Sequence, residues 1–194
     1  MRLGRHLLAF IGLPRAAQQF YVRAVLKAVR ARDRWSLAIA VRPLEFEKLL
    51  ELAQHGPVAE IGTGTGWCAL LLASCDVEVF TCDPHGPPQR RLYLPLVSGE
   101  VARRVHFSIR RGEDGAPGDF AVMLLFLDAS HTRDETISIF RAWEPAVAPG
   151  GAVAFHDYTR AWPGVVEAVH ALELDGSTHG ALFVWQKPAG DGNS

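Results

Sequence analysis

The run Glu60-Ile61-Gly62-Thr63-Gly64-Thr65-Gly66 narrows what this chain can fold into more than any other segment. It follows a short apolar stretch, Val58–Ile61, of strand character and opens an apolar helix expected over Trp67–Ser74. Gly62 and Gly64 permit positive φ and leave no Cβ between the backbone and a ligand. A helix starting near Gly66 offers free backbone N–H groups at the same place. A pyrophosphate-binding turn has the spacing G-x-G-x-x-G. Here the spacing is G-x-G-x-G, and Glu60 stands two residues before the first glycine. An acid at that place repels a pyrophosphate and attracts an ammonium group, such as that of an amino-acid moiety. Asp83 ends the second expected strand, seventeen residues after Gly66, where a carboxylate can accept both hydroxyls of a ribose. An adenosyl ligand carrying an amino acid fits both acids; the plainer alternative is a tight turn with no ligand.

The rest of the chain continues the alternation. Residues 16–30 read as an amphipathic helix with Phe20, Tyr21, Ala24, Val25, Ala28 and Val29 on its apolar face, and residues 44–54 as a second helix after Pro43. Beyond the glycine turn, strands are expected at Val77–Cys82, Val105–Arg110, Phe120–Leu127, Ala152–His156 and Ala181–Gln186. Helices are expected at 88–99, Thr132–Val147, stopping at Pro149-Gly150-Gly151, and Gly164–Leu172. Strands alternating with helices indicate an α/β, doubly wound, mostly parallel sheet of Rossmann-like, seven-strand type. The short turn Asp175-Gly176-Ser177 before the last strand suggests an antiparallel edge hairpin. Two segments result: an N-terminal helical arm or lid over 1–45 and the ligand-binding domain over 46–194.

Composition excludes several classes. Of the 194 residues 48% are apolar and 21% charged, ordinary for a water-soluble domain, and no apolar run reaches the roughly 18 residues of a membrane span. Leu7–Leu13 behind Arg2 and Arg5 resembles a short leader core, but Pro14-Arg15 follows where small residues are needed. Cys68, Cys75 and Cys82 form no C-x-x-C pair; Cys68 and Cys75 lie two turns apart on one helix face and suit small core positions in a reducing cytoplasm. The net charge of −1 conceals eight Lys/Arg against the single acid Asp33 in residues 1–34. Such an arm could meet a membrane surface, a nucleic acid or an acidic partner. A solvated helix face against the acidic body is preferred, since no aromatic residues interleave the bases as a nucleic-acid platform requires.

Five motifs stand in order: E-I-G-T-G-T-G at 60–66, C-D-P-H at 82–85, F-L-D-A-S-H at 126–131, P-G-G-A-V-A-F-H-D-Y at 149–158 and W-P-G-V-V-E-A-V at 162–169. In these the chain resembles the class I S-adenosylmethionine-dependent methyltransferases, and over residues 58–187 the small macrocin-type sugar O-methyltransferases. The first 45 residues carry no motif of that group. The resemblance implies that Glu60, Gly62, Thr63, Gly64 and Gly66 line the methionine end of S-adenosylmethionine, that Asp83 with Pro84 holds the ribose, and that Gly112-Glu113-Asp114 lies against the adenine. Glu113 and Asp114 read equally well as an exposed acidic loop.

Ligands of open α/β sheets sit at the carboxyl ends of the strands. Asp128 ends one expected strand and His156-Asp157 another. If these strands are neighbours, two carboxylates converge and repel unless a proton or cation joins them. A hard divalent ion, Mg2+ first, suits them and would lower the pKa of a substrate hydroxyl. Metal-dependent relatives place acids at both positions, so the resemblance implies Asp128, Asp157 and the departure His156 as ligands. His156 would be a nitrogen ligand that shifts preference toward a transition metal, or a simple hydrogen-bonding group. Without metal, Asp128 contacts the cofactor and Asp157 caps a loop. His131 stands where the family places its base, and imidazole titrates near neutrality; otherwise it caps a helix or orients Asp128. His85 reads as a ribose cover or a loop histidine, and Tyr158 and Trp162 as pocket walls or packing residues.

The expected reaction is O-methylation of a small-molecule hydroxyl, of sugar or natural-product type, in the cytoplasm, with no nucleic acid and with a homodimer through the N-terminal helices. Three other readings stay open: a metal-independent methyltransferase on another acceptor, a nicotinamide-dependent oxidoreductase, and a cofactor-binding module acting through its basic arm.

Overall fold

The computed structural model describes residues 2–190; residues 1 and 191–194 of the two segments 1–45 and 46–194 lie outside the described residues. Seven strands form one sheet: β1 (Val58–Ile61), β2 (Val79–Asp83), β3 (Val105–Ile109), β4 (Val122–Leu127), β5 (Val147–Phe155), β6 (Gly176–His179) and β7 (Leu182–Gln186). Their order is β3-β2-β1-β4-β5-β7-β6. The first five run parallel, and β7 pairs antiparallel with both β5 and β6. The chain therefore has the doubly wound sheet and antiparallel edge hairpin expected of it. Reversal of strand order at β1–β4 opens a crevice above their carboxyl ends, where ligands of such sheets bind.

The central strands are apolar because both of their faces are covered. Along β4, Leu124 and Phe126 enter one core with Leu49, Leu70 and Tyr93, while Leu125 and Leu127 enter the other with Ile139, Trp143 and Phe155. The period of two thus splits one apolar run between two layers. The first layer comprises α4 (Pro43–Ala53), α5 (Trp67–Ala73), α6 (Arg90–Tyr93) and α7 (Gly99–Arg103); the second comprises α8 (Arg133–Trp143) and α9 (Pro163–Ala171). The N-terminal segment folds as α1 (Arg2–Gly12), α2 (Arg15–Ala31) and α3 (Arg34–Ile39). Helix α2 buries Ala17, Phe20, Tyr21, Ala24 and Ala28 in the same core as α5. Tyr21 donates its hydroxyl to the Val41 carbonyl at 2.6 Å, and Phe20 meets the Trp67 ring edge-on at 6.4 Å. No helix among the described residues is long and apolar enough to cross a membrane.

Several boundaries differ from expectation. Val25 and Val29 are 40% and 59% exposed, because small alanines, not valines, let α2 approach the core. The helix expected over 88–99 is two short helices separated by a 3-10 turn that contains Pro95, whose missing N–H interrupts the ladder. Helix α8 stops at Trp143, ahead of Pro145, and β5 starts at Val147, so Pro149-Gly150-Gly151 lies inside a strand. There Gly150 adopts φ +76°, donates to Lys187 O and leaves a register shift between Val122 and Leu124. The hairpin turns at Gly180 (φ +67°), and Gly176 and Ser177 belong to β6. Cys75 lies beyond the end of α5 and so shares no helix face with Cys68.

Candidate active site

The glycine turn sits at the carboxyl end of β1, and its hydrogen bonds continue the sheet. Gly62 N donates to Cys82 O and Asp128 N to Ile61 O, both at 2.8 Å. Gly62, at φ +106°, has Asp128 O only 2.0 Å from where a Cβ would stand. The turn can therefore lie against the β4 end only as glycine. Gly64 (φ +47°) and Gly66 (φ +83°) complete the reversal into α5.

Asp83 binds this turn directly. Its Oδ2 accepts from Gly64 N at 2.9 Å and its Oδ1 from His85 N at 2.7 Å. A carboxylate oxygen has two lone pairs, so each keeps one for a ribose hydroxyl. That donor and acceptor arithmetic, with Gly62 and Gly64 partly open beside it, fits an adenosyl group. Pro84 and His85 are exposed on the outer side of Asp83. Glu60 lies beneath the turn, 1% exposed. Its Oε2 accepts from the Thr81 hydroxyl at 2.5 Å, and Thr81 in turn meets Thr63 at 2.6 Å. Burial pushes the Glu60 carboxyl up to about 8 against the Thr81 hydrogen bond, so near neutral pH it is held mostly as the uncharged acid. Glu60 and Thr63 thus form a buried strut for the turn, and only Gly62 and Gly64 offer it an open backbone. At the end of β3, Gly112 is buried and accepts from Trp143 Nε1 at 2.7 Å. A Cβ there would stand 2.7 Å from Ile61 Cγ2, which gives this glycine a packing reason. Glu113 pairs with Arg111 at 3.2 Å, and Asp114 accepts from the Arg111 amide.

Asp128, His156 and Asp157 converge, since β4 and β5 are neighbours. Each offers a ligand atom within 4.8 Å of the others. His156 Nδ1 is 2.8 Å from Asp128 Oδ1 and 3.6 Å from Asp157 Oδ2. Asp157 holds the left-handed backbone conformation (φ +56°), uncommon outside glycine. Its Oδ2 meets His131 Nε2 at 2.8 Å, and the His131 ring stacks on Trp162 with centroids 4.0 Å apart. Tyr158 packs against Phe183 and bonds His170 at 3.3 Å, facing its own neighbours rather than His131.

Two residues of this site went unmarked in the sequence. Glu45, 2% exposed on the first turn of α4, places Oε2 3.5 Å from His156 Nε2. It accepts from the amides of Arg42 and Ala181 at 3.0 and 3.1 Å. A Glu in the first helical turn after Pro43 signals a helix cap, not a contact 111 positions away. Arg90 donates to Gly64 O at 3.0 Å and lies over the Phe107 ring at 5.1 Å, bracing the glycine turn from α6. Burial alone would lower the His156 pKa; Asp128, Asp157 and Glu45 outweigh it and push the imidazole up to about 12. The three acids thus favour the protonated form of His156, while burial pushes the Asp128 carboxyl up from its ordinary value.

A family profile described as a methyltransferase domain matches residues 59–158. The chain belongs to this family, the class I S-adenosylmethionine-dependent methyltransferases. No curated protein matches it by sequence. Among solved structures it is similar to a protein from Corynebacterium glutamicum, 18% identical over 87% of this chain and 92% of that one, with a TM-score of 0.64. It is likewise similar to the O-methyltransferase NovP, at 18% identity over 76% and 81% of the two chains and a TM-score of 0.57. It spans 45% of the CcbJ methyltransferase from Streptomyces caelestis, at 24% identity over 55% of its own length and a TM-score of 0.48. The first two likenesses, at 18% identity, define the fold alone.

Proposed function

We propose that this chain transfers the methyl group of S-adenosylmethionine to a hydroxyl of a small molecule, of sugar or natural-product type, with a divalent cation. The observation that carries the reading is the convergence of His131, Asp128, His156 and Asp157 beside the glycine turn. Gly62, Gly64 and Asp83 would hold the cofactor through backbone and carboxylate contacts. Methyl transfer is an in-line displacement at a sulfonium carbon, so acceptor oxygen, methyl and sulfur must be aligned. His131, oriented by Asp157 and by the Trp162 face, would take the acceptor proton. Two carboxylates and one imidazole fit a cation of mixed oxygen and nitrogen preference, with Mn2+ or a later metal ahead of Mg2+. Such a cation would lower the pKa of the acceptor hydroxyl. His156 must release its proton to serve as a ligand, so metal uptake and proton release are coupled. The NovP likeness agrees with oxygen as the acceptor atom.

A second reading rests on the His156 imidazolium, which already supplies the positive charge between the carboxylates. Chelation separates the two. Under the metal reading, EDTA abolishes turnover, one divalent ion restores it, and isothermal titration of that ion releases protons. Undiminished turnover in EDTA would assign the cationic role to His156. His131→Ala should lower kcat about a hundredfold or more with little change in cofactor affinity; unchanged kcat removes His131 as the base.

A further inference from the structure

The N-terminal helices carry a surface that the methyl-transfer reading does not use. Among the described residues, exposed large apolar side chains concentrate in residues 7–39; outside that stretch they are Leu94, Ile109 and Trp162. Helix α2 is apolar on two adjoining faces. One is the core face already described. The other is the stripe Val22, Val25, Leu26 and Val29, at i, i+3, i+4 and i+7, each 40–59% exposed. Val22, Val25 and Leu26 line an open groove of about 440 Å³ with Phe10 of α1 and Leu37 of α3, so the three helices share one apolar surface. Leu7, Leu8 and Ile11 of α1 and Trp35 of α3 are also exposed, at 59%, 71%, 63% and 45%.

The exposed charges of α2 and α3 have one sign. Arg15, Arg23 and Arg30 of α2, with Arg32 and Arg34 after it, are exposed, and Lys27 is half-buried. Asp33 is buried and fully engaged, accepting from the Ser36 amide and hydroxyl and from the Tyr93 hydroxyl. It offers nothing to the surface. The exposed acids of α4, Glu47 and Glu51, line a different cleft, with Arg5, Lys48 and the end of α1 at Gly12-Leu13. A two-fold dimer through this face would set bases against bases, since an isologous interface meets its own patch. A nucleic acid would match the charge but leave the apolar stripe wet.

We infer that the face formed by α1, α2 and α3 docks on an anionic lipid bilayer. Apolar side chains of α2 and α1 enter the boundary of headgroups and acyl chains, and the flanking arginines meet anionic headgroups. Trp35 of α3 is exposed, and an indole favours the membrane interface.

The full-length protein is sedimented with vesicles of phosphatidylcholine mixed with phosphatidylglycerol, and with vesicles of phosphatidylcholine alone. Binding to the mixed vesicles, weakened by salt and much weaker on the neutral ones, is expected. Their addition should shift tryptophan emission to the blue, and Trp35→Phe should remove that shift. Arg23→Glu with Arg30→Glu should lower partitioning at least about tenfold. Val25→Asp with Leu26→Asp should do the same through the apolar face. Both pairs should keep the wild-type melting temperature and adenosylhomocysteine affinity, since all four side chains are exposed. Equal binding to both vesicle types, or to neither, overturns the proposal. So does a dimer in light scattering that Val25→Asp/Leu26→Asp dissolves while the vesicles stay unbound. Capture by polyglutamate without vesicle binding would assign the face to an acidic protein and overturn it equally.

Discussion

Glu60 and Asp83 are both acids at strand ends beside the same turn, yet their surroundings give them different work. Asp83 meets two backbone amides at a partly open position and keeps free lone pairs. Glu60 meets one hydroxyl in the core and is neutralised by burial. Its folded pKa, about 8, lies above its unfolded value of 4.5. The contribution to stability is thus fully present below 4.5 and lost as pH rises through 8. Thermal melts should show wild type losing stability over this window relative to Glu60→Gln; parallel curves would mean that Glu60 ionises freely. Asp83→Ala removes the ribose acceptor and the anchor of the Gly64 amide together. Affinity for adenosylhomocysteine, measured by calorimetry, should fall at least about a hundredfold. An unchanged affinity would move the ribose elsewhere.

At the scale of elements, the glycine turn connects two functions. Gly62 lets the β1 end close on the Asp128 carbonyl, so the cofactor turn and the β4 end are one packed unit. Gly62→Ala combines positive φ with an overlap against backbone, which has no rotamer to give. A cost of about 2–4 kcal/mol in denaturant unfolding is expected, with loss of cofactor binding in what remains folded. Helix α4 does the same for the second half of the site. Its first turn carries Glu45 to His156, and the Glu45 carboxylate also accepts from Ala181 where the hairpin turns. Periodicity locates such a helix well; it says nothing about which distant strand its first turn will meet. Expected helices that proved broken, at Pro95 and Pro145, failed where proline overrode an apolar pattern.

At the scale of the whole molecule, the basic N-terminal segment is part of the core. Phe20, Tyr21 and Ala24 pack with α5 and the sheet. Removing residues 1–34 should therefore abolish cooperative unfolding, not merely a partner contact. Phe20→Ala alone should cost about 3–5 kcal/mol in equilibrium unfolding. A truncated chain that melts cooperatively and binds adenosylhomocysteine would show the segment to be an independent arm.

The local residues by themselves determined the strand-turn-helix unit at 58–73, the parallel run of central strands and the placing of Asp83, Asp128 and Asp157 at strand ends. These follow from short-range physics: glycine conformation, apolar periods of two and of 3.6, and the chemistry of carboxylates. Tertiary structure decided what those residues face. The strand order made β4 and β5 neighbours, which brought His156 between Asp128 and Asp157. Docking of α4 added Glu45 to them, and burial pushed the Glu60 carboxyl up from its ordinary value. Desolvation and long-range pairing depend on the packed environment, and a linear pattern carries neither. The glycine turn was therefore legible as a binding element, whereas the charge balance of the site beside it was not.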